Sequence, residues 1–291
     1  MGYGNVSERK SAPPQIGVTS VILALESEAH GHARRRLWLP LVQRTREPFK
    51  GMWALPGGQL QANRSLEESA FATLASTTDL HPTYLEQLYT FGDPMRSSNG
   101  IPMVSVCYWA LLDHADLGTE PGTAANAHNV RWFPVDDLPE LAFDHTTIVE
   151  YALWRLRHRM DAPNVVRQLI AEPFTLGQLH DVVEAVLGEE IDLANFRRKM
   201  LASHTLEDTG EVAREGRRRP AALYRFADHA EEEGFAFFAE HASGNPHGAR
   251  GTLQVDSPDD ALSALMPHAS ASHPTQNRAT RTQREETGGV L

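Results

Sequence analysis

Two groups of residues in this chain combine type and spacing in ways that suit chemistry. The first begins at Leu55-Pro56-Gly57-Gly58, which reads as a strand end running into a turn. Gly57 and Gly58 carry no Cβ, so the backbone there can approach a ligand closely. Further on, Thr73, Ser76 and Thr77 stand at i, i+3 and i+4, one face of a helix. That face offers neutral hydroxyls, which cannot anchor a hard divalent cation that takes carboxylate oxygens. No catalytic residue, metal ligand or cofactor is therefore assigned. Arg44, Arg64 and Arg96 supply donors for phosphate oxygens. With Gly57 and Gly58 they make a candidate site for an anionic ligand.

The second group lies more than a hundred residues downstream. Asn195, Arg197, Arg198 and Lys199 are arranged around a helix whose Phe196 and Met200, with Leu193 and Leu201, make an apolar stripe for packing. Such a helix presents donors to guanine and phosphate in a major groove. Arg214, Arg217, Arg218 and Arg219 fall in the loop of an expected hairpin, placed to meet phosphate or a minor groove. The expected partner is double-stranded operator DNA.

These residues need elements to hold them. Val18–Leu25, Leu37–Gln43, Trp53–Leu55, Tyr84–Phe91, Met103–Leu112 and Val130–Phe133 read as strands. Ser65 and Glu68 form a capping-box pattern for a helix with Leu66, Ala70 and Leu74 inward. Asp144 reads as the N-cap of a helix from His145 to about Arg159. Beyond Asp161-Ala162-Pro163 three helices are expected: Val165–Ala171, Leu176–Leu187 capped by Thr175 and ended at Gly188, and Leu193–Ser203 capped by Asp192. Thr205–Thr209 and Ala222–Phe226 complete a hairpin. The expected organisation is a disordered arm over residues 1–15, a first domain over 16–160, a second over 161–228, and an acidic, mostly disordered tail over 229–291. Phe235, Phe237 and Phe238 are the tail residues expected to pack back. His30 and His32 lack a third ligand and read as surface residues.

The first half resembles Nudix domains. The resemblance rests on Trp53-Ala54-Leu55-Pro56-Gly57-Gly58, Thr90-Phe91-Gly92-Asp93-Pro94-Met95-Arg96, Trp132-Phe133-Pro134-Val135 and Leu141-Ala142-Phe143-Asp144-His145, in that order. Anchored on Gly58, the Nudix box places Arg64 at the first glutamate, Ala72-Thr73 at Arg-Glu, Ser76-Thr77 at Glu-Glu and Asp79 at the closing glycine. The family's carboxylates are thus replaced, and Glu67 and Glu68 read as first-turn acids that suit the helix dipole. Residues 164–226 resemble the winged helix of Nudix-related transcriptional regulators (NrtR), through Pro173-Phe174-Thr175-Leu176-Gly177-Gln178-Leu179, Asp192–Leu201 and Arg219-Pro220-Ala221-Ala222-Leu223-Tyr224-Arg225-Phe226.

The fold expected is α+β, a Nudix-like α/β/α sandwich followed by a winged helix-turn-helix domain. The resemblance implies a ligand-responsive repressor of NAD-metabolism genes, with ADP-ribose or a related nucleotide as effector and a homodimer on a palindromic operator. A hydrolase of ADP-ribose-like diphosphates is the alternative, and a winged helix that binds protein is a third reading.

Composition narrows the classes. The 291 residues are 41% hydrophobic and 22% charged, an ordinary globular balance. No apolar run approaches the roughly 20 residues of a membrane span, and the start carries no apolar signal core. The single cysteine, Cys107, sits in a strand-like run and reads as core, which suits a cytoplasmic protein. The net charge of −11 argues against nucleic acid only when averaged. Residues 227–291 hold four arginines against ten acids, whereas 192–226 hold eight cations against five acids. Local potential steers phosphate, because salt screens exposed charges beyond roughly 8 Å.

Overall fold

Strand β1, Gln15–Leu25, has almost every residue buried, so both of its faces are covered. It is the spine of a seven-stranded mixed sheet. β1 pairs in parallel with β6 (Met103–Leu112) and antiparallel with β2 (Leu37–Gln43). β2 carries β3 (Trp53–Ala54) and β7 (Val130–Pro134), and β6 carries β5 (Glu86–Phe91). The computed structural model describes residues 13–25, 35–93, 96, 101–112, 129–160, 162–213, 220–228 and 230. The His30/His32 pair, the four loop arginines Arg214, Arg217, Arg218 and Arg219, and Phe235, Phe237 and Phe238 lie outside them.

The period of two along β1 sorts side chains between two helix layers. Val18, Ile22 and Ala24 meet Ala70 and Leu74 of α1 (Leu66–Thr78). Val21, Leu23 and Leu25 share a cluster with Ile148, Ala152 and Leu156 of α2 (His145–His158). This is the expected α/β/α sandwich. Cys107 is buried in its middle, and burial pushes the thiol up to about 12, which suits an inert core residue.

The turn expected at Gly57-Gly58 is instead a short strand. Gly57–Gln59 (β4) pairs antiparallel with β1, with Gly57 opposite Thr19 and Gly58 opposite Val18. Periodicity over three residues cannot report such a pairing.

After α2 the chain forms α3 (Pro163–Arg167), β8 (Phe174–Thr175), α4 (Leu176–Leu187), α5 (Leu193–Ala202), β9 (Leu206–Ala213) and β10 (Ala221–Phe226). The expected helix to Ala171 stops at Arg167. The three strands make a small sheet in the order β8-β10-β9, so the helices are followed by a wing hairpin. One hydrophobic cluster runs without a break from β1 and β2 through α2 into Val182, Val183 and Val186 of α4 and Phe196 and Met200 of α5. At the far end of α2, Arg157 Nε donates to the Val186 carbonyl at 3.0 Å.

Candidate functional site: a hydroxyl-lined sandwich and a reading helix

The N-terminus of α1 is built as its sequence predicts. Ser65 Oγ accepts from the Glu68 amide at 3.1 Å, and the Glu68 carboxylate accepts from the Ser65 amide at 2.8 Å. These hydrogen bonds, backbone first, hold the Glu68 carboxyl below the usual carboxylate range. Its acid is committed to the cap.

One turn further, the hydroxyls fold onto their own helix. Ser76 Oγ donates to the Thr73 carbonyl at 3.0 Å, Thr77 Oγ1 to the same carbonyl at 2.7 Å, and Thr78 Oγ1 to Leu74 at 2.7 Å. Thr73 packs against Gly58, where an added Cβ would meet its Cγ2 at 3.2 Å. The divalent cation that the Nudix fold implies needs clustered carboxylates on this face. The residues present do not fit it.

Gly57 is shaped by its neighbour strand. A Cβ there would stand 2.8 Å from the Val18 carbonyl oxygen and 3.1 Å from Thr19 Oγ1. The close approach it permits is to the protein's own β1. Gly57 and Gly58 are both exposed on their outer side.

The three arginines have different fates. Arg64 is exposed in the turn before α1, where its amide donates to the Gln61 carbonyl. Arg44 is half-buried. Its Nε donates to the Pro48 carbonyl at 2.8 Å, and its guanidinium lies over the Phe143 ring at 4.6 Å. Burial lowers its pKa, opposed by Glu47. Arg96 points inward, with a side chain 5% exposed. Its Nε is 3.0 Å from Asp144 Oδ2, and its Nη1 donates to the Phe91 carbonyl at 2.8 Å. Asp144 therefore makes no side-chain cap for α2, contrary to expectation, because Arg96 has its carboxylate. Burial raises the Asp144 carboxyl and Arg96 opposes it.

Beside this pair Phe143, which shares the Leu141–His145 motif with His145, meets Phe49, which no sequence motif marks. Phe49 and Phe143 are each 39% exposed, with ring centroids 4.8 Å apart. Both sit in the left-handed region, at φ 65° and 58°, a costly conformation for a bulky residue. Phe143 also touches the His145 ring at 5.4 Å. His145 is buried, and its Nδ1 accepts the Leu55 amide at 2.9 Å, which leaves its proton on Nε2. Burial, with Arg96 and Arg44 nearby, pushes it down to about 3. The exposed aromatic pair, the Arg44 guanidinium and the Leu55-Pro56-Gly57 backbone are thereby joined at one edge of the sandwich.

In the second unit, Thr175 and Gln178 form a full capping box for α4, and Gly188 ends it at φ 75°. Asp192 Oδ1 accepts the Asn195 amide at 2.7 Å and starts α5. Phe196 and Met200 are buried, as expected. Leu193 and Leu201, expected to pack beside them, are 37% and 50% exposed. Leu201 lies with Ala194, Arg197 and Arg198, all exposed, whereas Leu193, seven residues before Met200, stands at the rim of the packing face. Arg198 Nη2 donates to Asn195 Oδ1 at 2.8 Å, and Lys199 is half-buried.

His180, Asp181 and Glu184 bring three possible metal donors together on α4. His180 and Glu184 are spent as a brace. His180 Nε2 is 2.8 Å from the Ile191 carbonyl, and Glu184 Oε1 accepts the Ile191 amide at 2.7 Å. Both grip the turn leading into α5.

A Nudix-type sandwich carrying a winged helix defines the class: a hydrolase-type nucleotide fold joined to a DNA-reading module. Residues 20–152 match the NUDIX domain model, and 166–226 match that of the NrtR DNA-binding winged helix domain. The chain is 32% identical over 196 residues to the ADPR responsive transcriptional repressor NtrR of Acinetobacter baylyi, covering 66% of this chain and 76% of that protein. It is 32% identical over 116 residues to an ADP-ribose pyrophosphatase of Methanocaldococcus jannaschii, covering 40% of this chain and 66% of that protein. The crystal structure of Shewanella oneidensis NrtR complexed with a 27mer DNA superposes with TM-score 0.58 at 34% identity, over 76% of this chain and 97% of that one. The chain belongs to the NrtR family of Nudix-related transcriptional regulators. No helix among the described residues is long and apolar enough to cross a membrane.

Proposed function

We propose that this chain is a transcriptional repressor whose hold on operator DNA responds to ADP-ribose or a related nucleoside diphosphate, and that it does not hydrolyse that ligand. The observation that carries the reading is the α1 face. Thr73, Ser76 and Thr77 hold no carboxylate, and the Ser76 and Thr77 hydroxyls donate to the Thr73 carbonyl, in a chain that also carries a winged helix. The ADPR-responsive repressor of Acinetobacter and the DNA-bound Shewanella regulator support the two ligands.

The site is proposed as follows. Phe143 and Phe49 offer ring faces for a base, Arg44 and Arg64 offer donors for a diphosphate, and the exposed sides of Gly57 and Gly58 border it. Arg96 acts through Asp144 as a positioning residue, since its guanidinium is turned inward. Asn195, Arg197, Arg198 and Lys199 face DNA, and Arg214, Arg217, Arg218 and Arg219 are proposed from the sequence to join them. A homodimer would set two reading helices about one DNA turn apart. The proposed setting is the cytoplasm, on genes of NAD metabolism. Effector and operator are linked only if the effector binds the DNA-competent and DNA-incompetent states with different affinity.

A hydrolase is the second reading, favoured by the similarity to an archaeal ADP-ribose pyrophosphatase. Two assays on the full chain separate the readings. Gel shift on its own upstream DNA, titrated with ADP-ribose, is expected to give a retarded band whose affinity changes with ligand. Incubation with ADP-ribose and Mg²⁺ or Mn²⁺ is expected to give no AMP. Brisk AMP release with no retarded band at low salt would overturn the proposal.

A further inference from the structure

Leu193, Arg197 and Leu201 stand at i, i+4 and i+8 on α5, one line that runs from the rim of the packing face at Leu193 onto the exposed face at Leu201. Among the described residues from 162 onward, the exposed large hydrophobic side chains are Leu193, Leu201 and Val212. Two are on α5, and the third is on β9, the first wing strand. Elsewhere in this unit such side chains are at least partly covered. Phe196 and Met200 make the buried face of α5, while Leu193 at its rim and Leu201 beyond it keep 37% and 50% of their surface exposed.

We infer that Leu193 and Leu201 read thymine 5-methyl groups on either side of a base contacted by Arg197. The inference rests on the DNA-binding reading above and deepens it. The major groove offers one apolar feature, the thymine methyl, and an apolar side chain there distinguishes thymine from cytosine. Arginine suits guanine, whose O6 and N7 accept a bidentate guanidinium. Four residues of helix rise about 6 Å, close to two base-pair steps of about 3.4 Å. The line Leu–Arg–Leu therefore matches a guanine with thymines about two steps away on both sides. A purely electrostatic face would need neither leucine. A protein partner would be met by the same leucines, but Arg197 between them and Arg198 beside them favour a polyanion.

The test removes the methyl and nothing else. Duplexes are selected from random DNA by the wild-type full chain, and each thymidine in the selected site is replaced singly by deoxyuridine. Affinities are measured for wild type, Leu193→Ala and Leu201→Ala. At one or more positions, deoxyuridine is expected to weaken wild-type binding about fourfold, the worth of burying one methyl group. That loss is expected to vanish in one leucine variant, because the methyl then has no partner. Leu201 is half exposed, so Leu201→Ala is expected to melt like wild type, and the thymidine-to-deoxyuridine affinity ratio reads each variant independently of any loss of stability at Leu193. If the wild type binds the selected duplex but every deoxyuridine substitution is neutral, the inference is overturned. It is equally overturned if the loss persists undiminished in both variants, or if the variants weaken thymidine and deoxyuridine duplexes alike. A wild type that enriches no duplex overturns the DNA-binding reading and this inference together.

Discussion

The Leu55 amide donates to His145 Nδ1 at 2.9 Å, joining residues 90 apart in the chain. The hydrogen bond requires a neutral imidazole, and burial with Arg96 and Arg44 nearby holds His145 down to about 3. The unfolded chain binds this proton with an ordinary pKa of about 6.5. Between those values the unfolded state carries the extra proton, so stability falls as pH falls. The contribution is fully present above pH ~6.5 and declines by about 1.4 kcal/mol per pH unit below it. Urea unfolding at pH 7.5, 6.0 and 5.0 measures the slope. His145→Gln is expected to be less stable at pH 7.5 and to lose this part of the pH dependence. A variant with the wild-type slope would count against the assignment.

Gly57 and Gly58 differ in what surrounds them. At Gly57 a methyl group meets a backbone carbonyl at 2.8 Å, whereas at Gly58 it meets the Thr73 methyl at 3.2 Å. A β-strand carbonyl cannot move aside, but a side chain can shift by tenths of an ångström. Gly57→Ala is expected to cost about 1–3 kcal/mol, as overpacking does, and Gly58→Ala less. Thermal melts of the two variants give the ranking, and the reverse order would refute it.

The left-handed backbone of Phe143 costs stability that asparagine would not pay. Phe143→Asn loses ring contacts with Phe49 and Arg44 but relieves this strain, so the melting temperature is expected to move little. ADP-ribose affinity is expected to fall about five- to tenfold, the scale of one aromatic contact. Isothermal titration checks it. Unchanged affinity would remove Phe143 from the proposed site.

Arg198 is tethered to Asn195 Oδ1 and exposed. Arg198→Ala is expected to weaken operator binding and, if its contact is to phosphate, to lower the salt slope by about 1. Nucleotide affinity should stay at the wild-type value. Gel shifts at several salt concentrations, beside a nucleotide titration, read both quantities.

Local signals were legible in the sequence. The box Ser65/Glu68, the N-cap Thr175 and the stop at Gly188 formed as the sequence predicts, because each closes within a turn of helix, and Gln178 completes a second box that was not expected. The apolar run Val18–Leu25 predicts a buried strand, and β1 is one, but with both faces covered the run carries no sign of which residues meet which helix layer. Long-range choices were hidden. Asp144 has a capping residue's chemistry, but Arg96, 48 positions earlier in the chain, claimed it. Leu193 and Leu201 look like packing residues in a helical repeat, yet both keep more than a third of their surface exposed, because Phe196 and Met200 between them meet the core. No periodicity reveals that Phe49 and Phe143 adopt left-handed backbone and meet. The hydroxyl face needed only the spacing of Thr73, Ser76 and Thr77, but its hydrogen bonds onto the helix backbone needed the structure.

Helix α2 gives one flank to the sandwich and the other to α4, and a single apolar mass spans all three. Sensor and reader are therefore soldered at this seam. Parting the two units would open the apolar cluster that Val182 and Val186 share with α2 and orphan the Arg157–Val186 link. A chimera that grafts this sensor onto a foreign DNA reader must rebuild the α2–α4 contact as well.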